Sequence, residues 1–178
     1  MALKPTIYKL RISLSDTNRH YYDTLNLTIA QHPSETIERM VVRVLVFCIN
    51  AEDNLIFTKG LSATEEPDLW LRSLDNTLEL WIDVGEPAAE RIKKATHLAQ
   101  QVKVYCFNKK SDIWWSQGKE SIKDLNVSVF QFSIEEIKAL ASLVERTMEL
   151  SVTIAEDSAY IATGKGECEI NWSLLQSP

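Results

Sequence analysis

The apolar residues of this 178-residue chain change their spacing several times, and this succession limits the fold more than any other sequence feature. Apolar residues that alternate with polar ones predict half-buried strands, whereas apolar residues at three- and four-residue steps predict a helix. Segments 6–14 and 23–30 alternate around turn-forming residues 15–19, so they predict an N-terminal β-hairpin. From Ser34 to Asn50 the spacing becomes helical, which predicts a largely buried first helix.

The rest of the chain alternates short strands with helices. A second helix, predicted over 88–100, begins just after Pro87. A further helix begins at Ser133. The pattern predicts an α/β fold in a single domain, 1–178: a mixed central sheet flanked by helices, with the N-terminal hairpin and C-terminal strands as additions. The remaining predicted strands are 55–61, 68–74, 78–84, 102–107, 127–132, 148–155, 159–163 and 168–172.

Composition excludes several classes of protein. Apolar residues make up 45% of the chain and only five Gly and five Pro are present, which argues against disorder and low-complexity linkers. No apolar run approaches the roughly 18 residues of a membrane helix, and residues 1–9 lack the apolar core of a secretion signal. We therefore expect a cytoplasmic protein without a membrane partner. Cys48, Cys106 and Cys168 stand among apolar neighbours without a CxxC pair, which predicts buried thiols rather than zinc ligands.

The net charge of −6 argues against a strongly DNA-coating protein, but the charges are unevenly distributed. Residues 52–90 contain ten acidic and two basic side chains, whereas residues 91–123 contain eight basic and two acidic ones. An acidic metal pocket beside a basic, phosphate-binding surface would have this distribution, and so would an ordinary mixed surface. The residues expected to contact nucleic acid are Lys93, Lys94, Lys103, Lys109 and Lys110.

Acidic residues at neighbouring strand ends suggest a metal site. Asp68 begins one predicted strand and Asp83 lies near the end of the next. Mg²⁺ is commonly held by one or two carboxylates together with water and substrate phosphate. Glu35 or Glu38 on the first helix can add a third oxygen ligand. Glu38 is preferred because it lies beside the apolar stripe of the helix, whereas Glu35 is interpreted as a first-turn acid that the helix dipole favours. The sequence therefore predicts a Mg²⁺ site formed by Glu38, Asp68 and Asp83, although each acid alone is also typical of an ordinary surface or strand-start position.

Motifs spread along the whole chain suggest a family. They are Met1-Ala2-Leu3-Lys4, His32-Pro33-Ser34-Glu35-Thr36, Arg39, Phe57-Thr58-Lys59-Gly60-Leu61, Glu66-Pro67, Trp70, Leu80-Trp81-Ile82, Pro87, Ile92-Lys93-Lys94-Ala95, Trp114-Trp115 and Arg146-Thr147-Met148. Together they resemble the bacterial YaeQ family. The resemblance implies a variant of the restriction-endonuclease-like, PD-(D/E)XK fold, in a family without a settled biochemical activity.

By this resemblance, Asp68 belongs to the PD element and Asp83 to the (D/E)XK element, with Gly85 standing where the lysine belongs. That lysine is expected to position or activate the attacking water, which glycine cannot do. Lys94, or alternatively Lys93, is expected to reach back from the following helix in its place, so the predicted catalytic residues are Asp68, Asp83 and Lys94. Two hypotheses follow: a Mg²⁺-dependent phosphodiesterase acting on DNA or RNA, and a catalytically inactive nuclease fold that binds nucleic acid or a protein partner.

Overall fold

The computed structural model describes residues 3–59, 61 and 63–178, and this part of the chain forms ten strands and four helices. Among these residues no helix combines the length and the apolar character needed to cross a membrane. The predicted mixed α/β class is confirmed, whereas the restriction-endonuclease-like core stays a prediction. The elements are β1 Thr6–Asp16, β2 Tyr21–Gln31, α1 Ile37–Ile49, β3 Leu55–Phe57, β4 Leu69–Arg72, β5 Leu78–Val84, α2 Ala89–Leu98, β6 Gln101–Cys106, α3 Ser111–Ile122, β7 Val127–Phe132, α4 Ile134–Ala141, β8 Thr147–Ala155, β9 Ser158–Thr163 and β10 Gly166–Gln176.

The chain divides into two compact units. The first contains Met1–Ile49 and Glu135–Trp172, and the second contains Asn50–Ile134 and Ser173–Pro178. Each unit has its own set of neighbouring strands and is described separately below. The expectation of a single domain over 1–178 stays a prediction.

The first unit contains strands in the order β2-β1-β8-β9-β10. β1 pairs antiparallel with β2 along its whole length, from Thr6↔Gln31 to Asp16↔Tyr21, which matches the predicted N-terminal hairpin. β8 is parallel to β1 and antiparallel to β9. Every residue of α1 from Met40 to Cys48 is buried, because apolar side chains occupy nearly the whole circumference of this helix rather than a single stripe.

The second unit contains strands in the order β7-β6-β5-β4-β3. β3, β4 and β5 form an antiparallel meander, whereas β5, β6 and β7 are parallel and are connected by α2 and α3. Two successive right-handed crossovers in one direction place both helices on the same face of the strands. The residues that form the core of this unit are Leu78, Trp81, Ile92, Ala95, Val102, Val104, Ile122, Val127 and Val129.

Three segments differ from the sequence-based prediction. Helix α3 was not predicted, and its residues cover the second unit beside α2. The strand predicted over 55–61 ends at Phe57, and the backbone N–H of Lys59 donates instead to the Glu66 carboxylate (3.3 Å). Gly60, which belongs to the same predicted strand, lies outside the described residues, as do Met1 and Ala2. The last strand runs on to Gln176, which belongs to the second unit and whose side-chain amide donates to the backbone carbonyl of Ile122 in that same unit. Cys48 and Cys106 are buried as expected, but Cys168 is only half-buried.

Candidate functional site

The β4–β5 register brings Asp68 and Asp83 together. Leu69 pairs with Ile82 in this antiparallel ladder, so Asp68, one residue earlier, lies next to Asp83, one residue later. The backbone N–H of Asp68 donates to the carbonyl of Ile82 at 2.9 Å, which is one residue out of the Leu69–Ile82 register, so the regular ladder ends at this point. Both carboxylates are buried. The sequence expectation of two acids on neighbouring strands therefore agrees with the structure.

Asp83 is bound by two side chains. The Nε and Nη2 atoms of Arg91 donate to its two carboxylate oxygens, each at 3.0 Å, and Trp81 Nε1 donates at 3.1 Å. A guanidinium that engages both oxygens forms the strongest type of carboxylate pair. The Asp83 side chain is 4% exposed and that of Arg91 is 34% exposed, so the acid is shielded from solvent mainly by protein groups.

Arg91 lies among several acids and holds the preceding loop. Its other donors reach the backbone carbonyls of Thr64 (2.5 Å) and Glu66 (2.8 Å). Burial, the largest single influence on the pKa of Arg91, lowers it, but the hydrogen bonds and negative charges of the nearby acids outweigh burial and raise it overall. These acids are Asp83, Asp68 and Glu65. The Arg91 cation therefore offsets the negative charge of the acids on which the magnesium hypothesis depends.

Asp68 and Gly85 are fixed by the backbone around Asp83. Asp68 Oδ2 accepts the backbone N–H of Val84 at 2.7 Å. Gly85, which the predicted motif aligns with its lysine, has a φ of +114° and donates its N–H to the carbonyl of Tyr105 at 2.8 Å. Since L side chains rarely adopt this φ, a lysine at position 85 would be strained. The backbone conformation thus gives a physical reason for glycine at this position.

The acid that α1 buries is Glu35 rather than Glu38. Glu35 precedes α1, and its carboxylate pairs with Arg43 (2.6 Å) and Arg39 (2.7 Å), whereas Glu38 is half-buried in the first helical turn. Glu38 belongs to the first unit, while Asp68 and Asp83 belong to the second. No group of three or more His, Cys, Asp or Glu residues within 3–59, 61 and 63–178 is arranged to hold a metal ion. As arranged here, the acids do not fit Mg²⁺, and the Glu38 ligand stays a prediction.

The predicted phosphate-contacting lysines fall into two groups. Lys94 Nζ binds the exposed Glu65 carboxylate at 2.7 Å, a contact that lowers the pKa of Glu65 through the hydrogen bond and the positive charge. Lys103 Nζ donates to the buried side-chain oxygen of Asn50 at 2.7 Å. Lys94 is therefore directed to Glu65 in this structure, not to Asp68 or Asp83. The ammonium groups of the other three lysines are exposed and make no ion pair or hydrogen bond with any described residue: Lys93, Lys109 and Lys110.

Sequence reasoning missed two residues that organise this part of the second unit. The first is Arg91. Its sequence signal is a cation in the first turn of α2, where the helix dipole disfavours positive charge unless an acid is close. The second is Glu86, whose Oε1 accepts the backbone N–H groups of Phe107 (3.1 Å) and Asn108 (3.0 Å) and the Ser111 hydroxyl (2.5 Å). Glu86 thereby ties the segment after β5 to the segment that joins β6 to α3.

The fold and the site define a mixed α/β protein with a buried acid pair neutralised by arginine. The chain belongs to the YaeQ family, since the sequence profile described as YaeQ protein matches residues 1–172. It is 37% identical over 180 residues to the proteins named "Uncharacterized protein YaeQ" of Escherichia coli (strain K12) and Shigella flexneri, covering 100% of this chain and 99% of each relative.

Two crystal structures show the same fold. The YaeQ protein from Xanthomonas axonopodis pv. citri superposes with a TM-score of 0.94 at 32% identity, covering 98% of this chain and 99% of the other. The YaeQ protein from Pseudomonas syringae gives a TM-score of 0.93 at 31% identity, covering 98% of this chain and 97% of the other. The resemblance inferred from sequence motifs is therefore confirmed at the level of the family.

Proposed function

We propose that this chain is a binding module without nuclease chemistry and that its ligand is a nucleic acid. The observation that carries the first half of the proposal is the bidentate contact of Arg91 with Asp83. A metal ion at the acid pair would have to displace a guanidinium that already engages both oxygens of Asp83. Mg²⁺ also gives up its water ligands reluctantly, so this exchange is unfavourable.

The position of the lysines supports the same interpretation. Gly85 replaces the lysine of the motif, and its φ of +114° disfavours any side chain there. Lys94, the proposed substitute, binds Glu65 at the surface. Arg91 is engaged by both oxygens of Asp83, and among the described residues Lys94 is directed to Glu65 rather than to the acids. Without a lysine beside the acids to position water or offset phosphate charge, hydrolysis lacks a component that the nuclease hypothesis requires.

The nucleic-acid ligand is proposed from the charge of the layer formed by α2 and α3. Lys93 lies in α2, and Lys109 and Lys110 immediately precede α3. Both helices cover the same face of β5–β7. These three exposed ammonium groups have no acidic partner among the described residues, so they are available to neutralise phosphates, even though the whole chain carries a net charge of −6.

The test is fluorescence anisotropy with labelled single-stranded DNA and RNA, in EDTA, at several salt concentrations. The wild-type chain should bind, and its affinity should fall with salt. Removing three phosphate contacts should lower the slope of log Kd against log salt concentration by about 2, because each contact on a single strand contributes roughly 0.7 to that slope. The variant combines Lys93→Ala, Lys109→Ala and Lys110→Ala.

A matched control separates this surface from the effect of total charge. Lys4, Lys138 and Lys165 are exposed lysines of the first unit, and replacing all three by alanine changes the net charge equally. The control should keep the wild-type slope. Absence of binding to either nucleic acid at low salt, or an equal loss in the control, would refute the proposed ligand.

A Mg²⁺-dependent phosphodiesterase is the second candidate, because Asp68 and Asp83 flank the Leu69–Ile82 pair at the same end of the β4–β5 ladder. Incubation of single- and double-stranded substrates with Mg²⁺ or Mn²⁺ tests it. Cleavage by the wild type that is abolished in Asp83→Ala, with an unchanged circular dichroism spectrum, would replace the binding proposal by this one. We expect no cleavage by either protein.

A further inference from the structure

β2 is a long strand at the end of the strand order and, within the part of the chain that the structure describes, pairs on one side only, with β1. Its eleven residues pair with β1 without a bulge. The strand contains no Pro, Lys or Arg, and Asp23 is its one charged residue. Proteins usually protect long edge strands with such residues or with bulges, because an open edge pairs readily with another strand.

The hydrogen-bond pattern shows which residues of β2 face the open edge. The backbone N–H of Lys9 donates to Arg146 on the β8 side, so the odd-numbered residues of β1 bond toward β8. The even-numbered residues of β1 therefore bond to β2, and their partners there are odd-numbered. The backbone groups of the even-numbered residues of β2 consequently point away from β1, and all five are exposed: Tyr22, Thr24, Asn26, Thr28 and Ala30.

Most of these edge groups are available for pairing. Five residues carry ten backbone N–H and C=O groups. The N–H of Thr24 donates to the Asp23 carboxylate (2.8 Å), and the carbonyl of Ala30 accepts from Arg43 (3.0 Å). The other eight groups, 10 − 2, form no hydrogen bond with any residue that the structure describes.

The sequence of the edge is self-complementary. Residues 24–28 read Thr-Leu-Asn-Leu-Thr in both directions. Antiparallel pairing of two copies centred on Asn26 places Thr24 opposite Thr28 and Leu25 opposite Leu27, while each Asn26 meets its own counterpart. Such pairing has the two-fold symmetry of the commonest homodimers. The two leucines are half-buried in the single chain, and a second copy would cover their remaining surface.

We propose that two copies of this chain form a dimer by antiparallel β2–β2 pairing about Asn26. Six hydrogen bonds can form without displacing an existing partner, two from each of three symmetric pairs. In the central pair the backbone N–H of Asn26 donates to the carbonyl of Asn26 of the partner subunit. In the other two pairs the N–H of Thr28 donates to the carbonyl of Thr24 of the partner subunit, and the N–H of Ala30 donates to the carbonyl of Tyr22 of the partner subunit. This proposal concerns the first unit and does not depend on nucleic-acid binding.

Solution mass provides the first test. Light scattering during size-exclusion chromatography should give twice the chain mass of 20.3 kDa at micromolar concentration. Thr24→Lys with Thr28→Lys places ammonium groups opposite each other in the pair and should yield a monomer with an unchanged circular dichroism spectrum. The control, Thr147→Lys with Thr153→Lys, adds the same charge to exposed positions of the interior strand β8 and should remain dimeric. A wild type that is monomeric throughout, or two double variants that behave alike, would overturn the proposal.

Disulfide trapping tests the register itself. In the proposed pair the two Asn26 Cα atoms lie about 5.5 Å apart, within the range that a disulfide spans. Asn26→Cys should therefore form a covalent dimer under mild oxidation, above the background of the three native cysteines in the wild type. Thr28→Cys, on the same exposed edge, would meet its own counterpart only across four residues, about 13 Å, and should not cross-link. Equal cross-linking of the two variants, or none in Asn26→Cys, would rule out this register.

Discussion

Replacing Arg91 by methionine removes the cation from the Asp83 carboxylate while keeping an apolar stem of similar reach. Loss of one partner of a buried ion pair costs about 3–5 kcal/mol, because the remaining charge stays desolvated. Here Asp83 is 4% exposed, but the Arg91 side chain is 34% exposed and water can partly replace it. We therefore expect the free energy of unfolding to fall by about 2–3 kcal/mol, at or below the lower limit of that range.

The asymmetry between the two partners makes the prediction specific. Asp83→Asn retains an oxygen acceptor for Trp81 Nε1 and leaves Arg91 able to turn toward water, so its cost should be about 1 kcal/mol. The double variant should be more stable than Arg91→Met alone, because no uncompensated charge remains. Urea unfolding at pH 7 measures all three variants against the wild type. Strictly additive effects, or a change below about 0.5 kcal/mol for Arg91→Met, would refute the assigned role of Arg91.

Three further predictions concern other parts of the chain. Glu35→Gln should destabilise the fold by about 3–5 kcal/mol in urea unfolding because Arg43 stays buried without its acid, whereas Glu38→Gln, at a half-buried position, should change stability by less than about 0.5 kcal/mol. Gly85→Lys should cost about 1–3 kcal/mol because of the positive φ and should create no nuclease activity in a plasmid-cleavage assay. Thiol titration of the native protein at pH 8 should modify Cys168 first, since burial raises the pKa of each of the other two thiols to about 12.

The elements that sequence predicts well are those in which local pattern and tertiary burial agree. The β1–β2 hairpin alternates cleanly, and α1 is apolar around most of its surface, so both were identified from spacing alone. Helix α3 has a weaker signal. Its two fully buried residues are Ser111 and Ile122, eleven positions apart, while Ile113 is 55% exposed. Packing of its tryptophans against the core of the second unit, rather than an apolar stripe, holds this helix.

The sequence predicts which strands carry the two acids of the candidate site, but it does not predict which cation contacts them. The short turn between β4 and β5 sets their register, and the register alone brings Asp68 and Asp83 together. Which cation meets them depends on how α2 lies across the strand ends, and sequence spacing does not give that geometry. The sequence-based interpretation of Glu35 as a first-turn acid differs from the structure for a related reason. Glu35 precedes α1, so helical periodicity does not predict which way its side chain faces, whereas in the structure Arg43, two turns into the helix, binds its carboxylate.

The most direct test of this account asks whether Arg91 occupies the place of a metal ion. Thermal unfolding of the wild type and of Arg91→Met is measured with and without Mn²⁺, at constant ionic strength. The wild-type melting temperature should not change, whereas the variant, with its acids exposed to cations, should gain about 3–6 °C at ten times the dissociation constant. Stabilisation of the wild type by Mn²⁺ that equals or exceeds that of the variant would contradict the account.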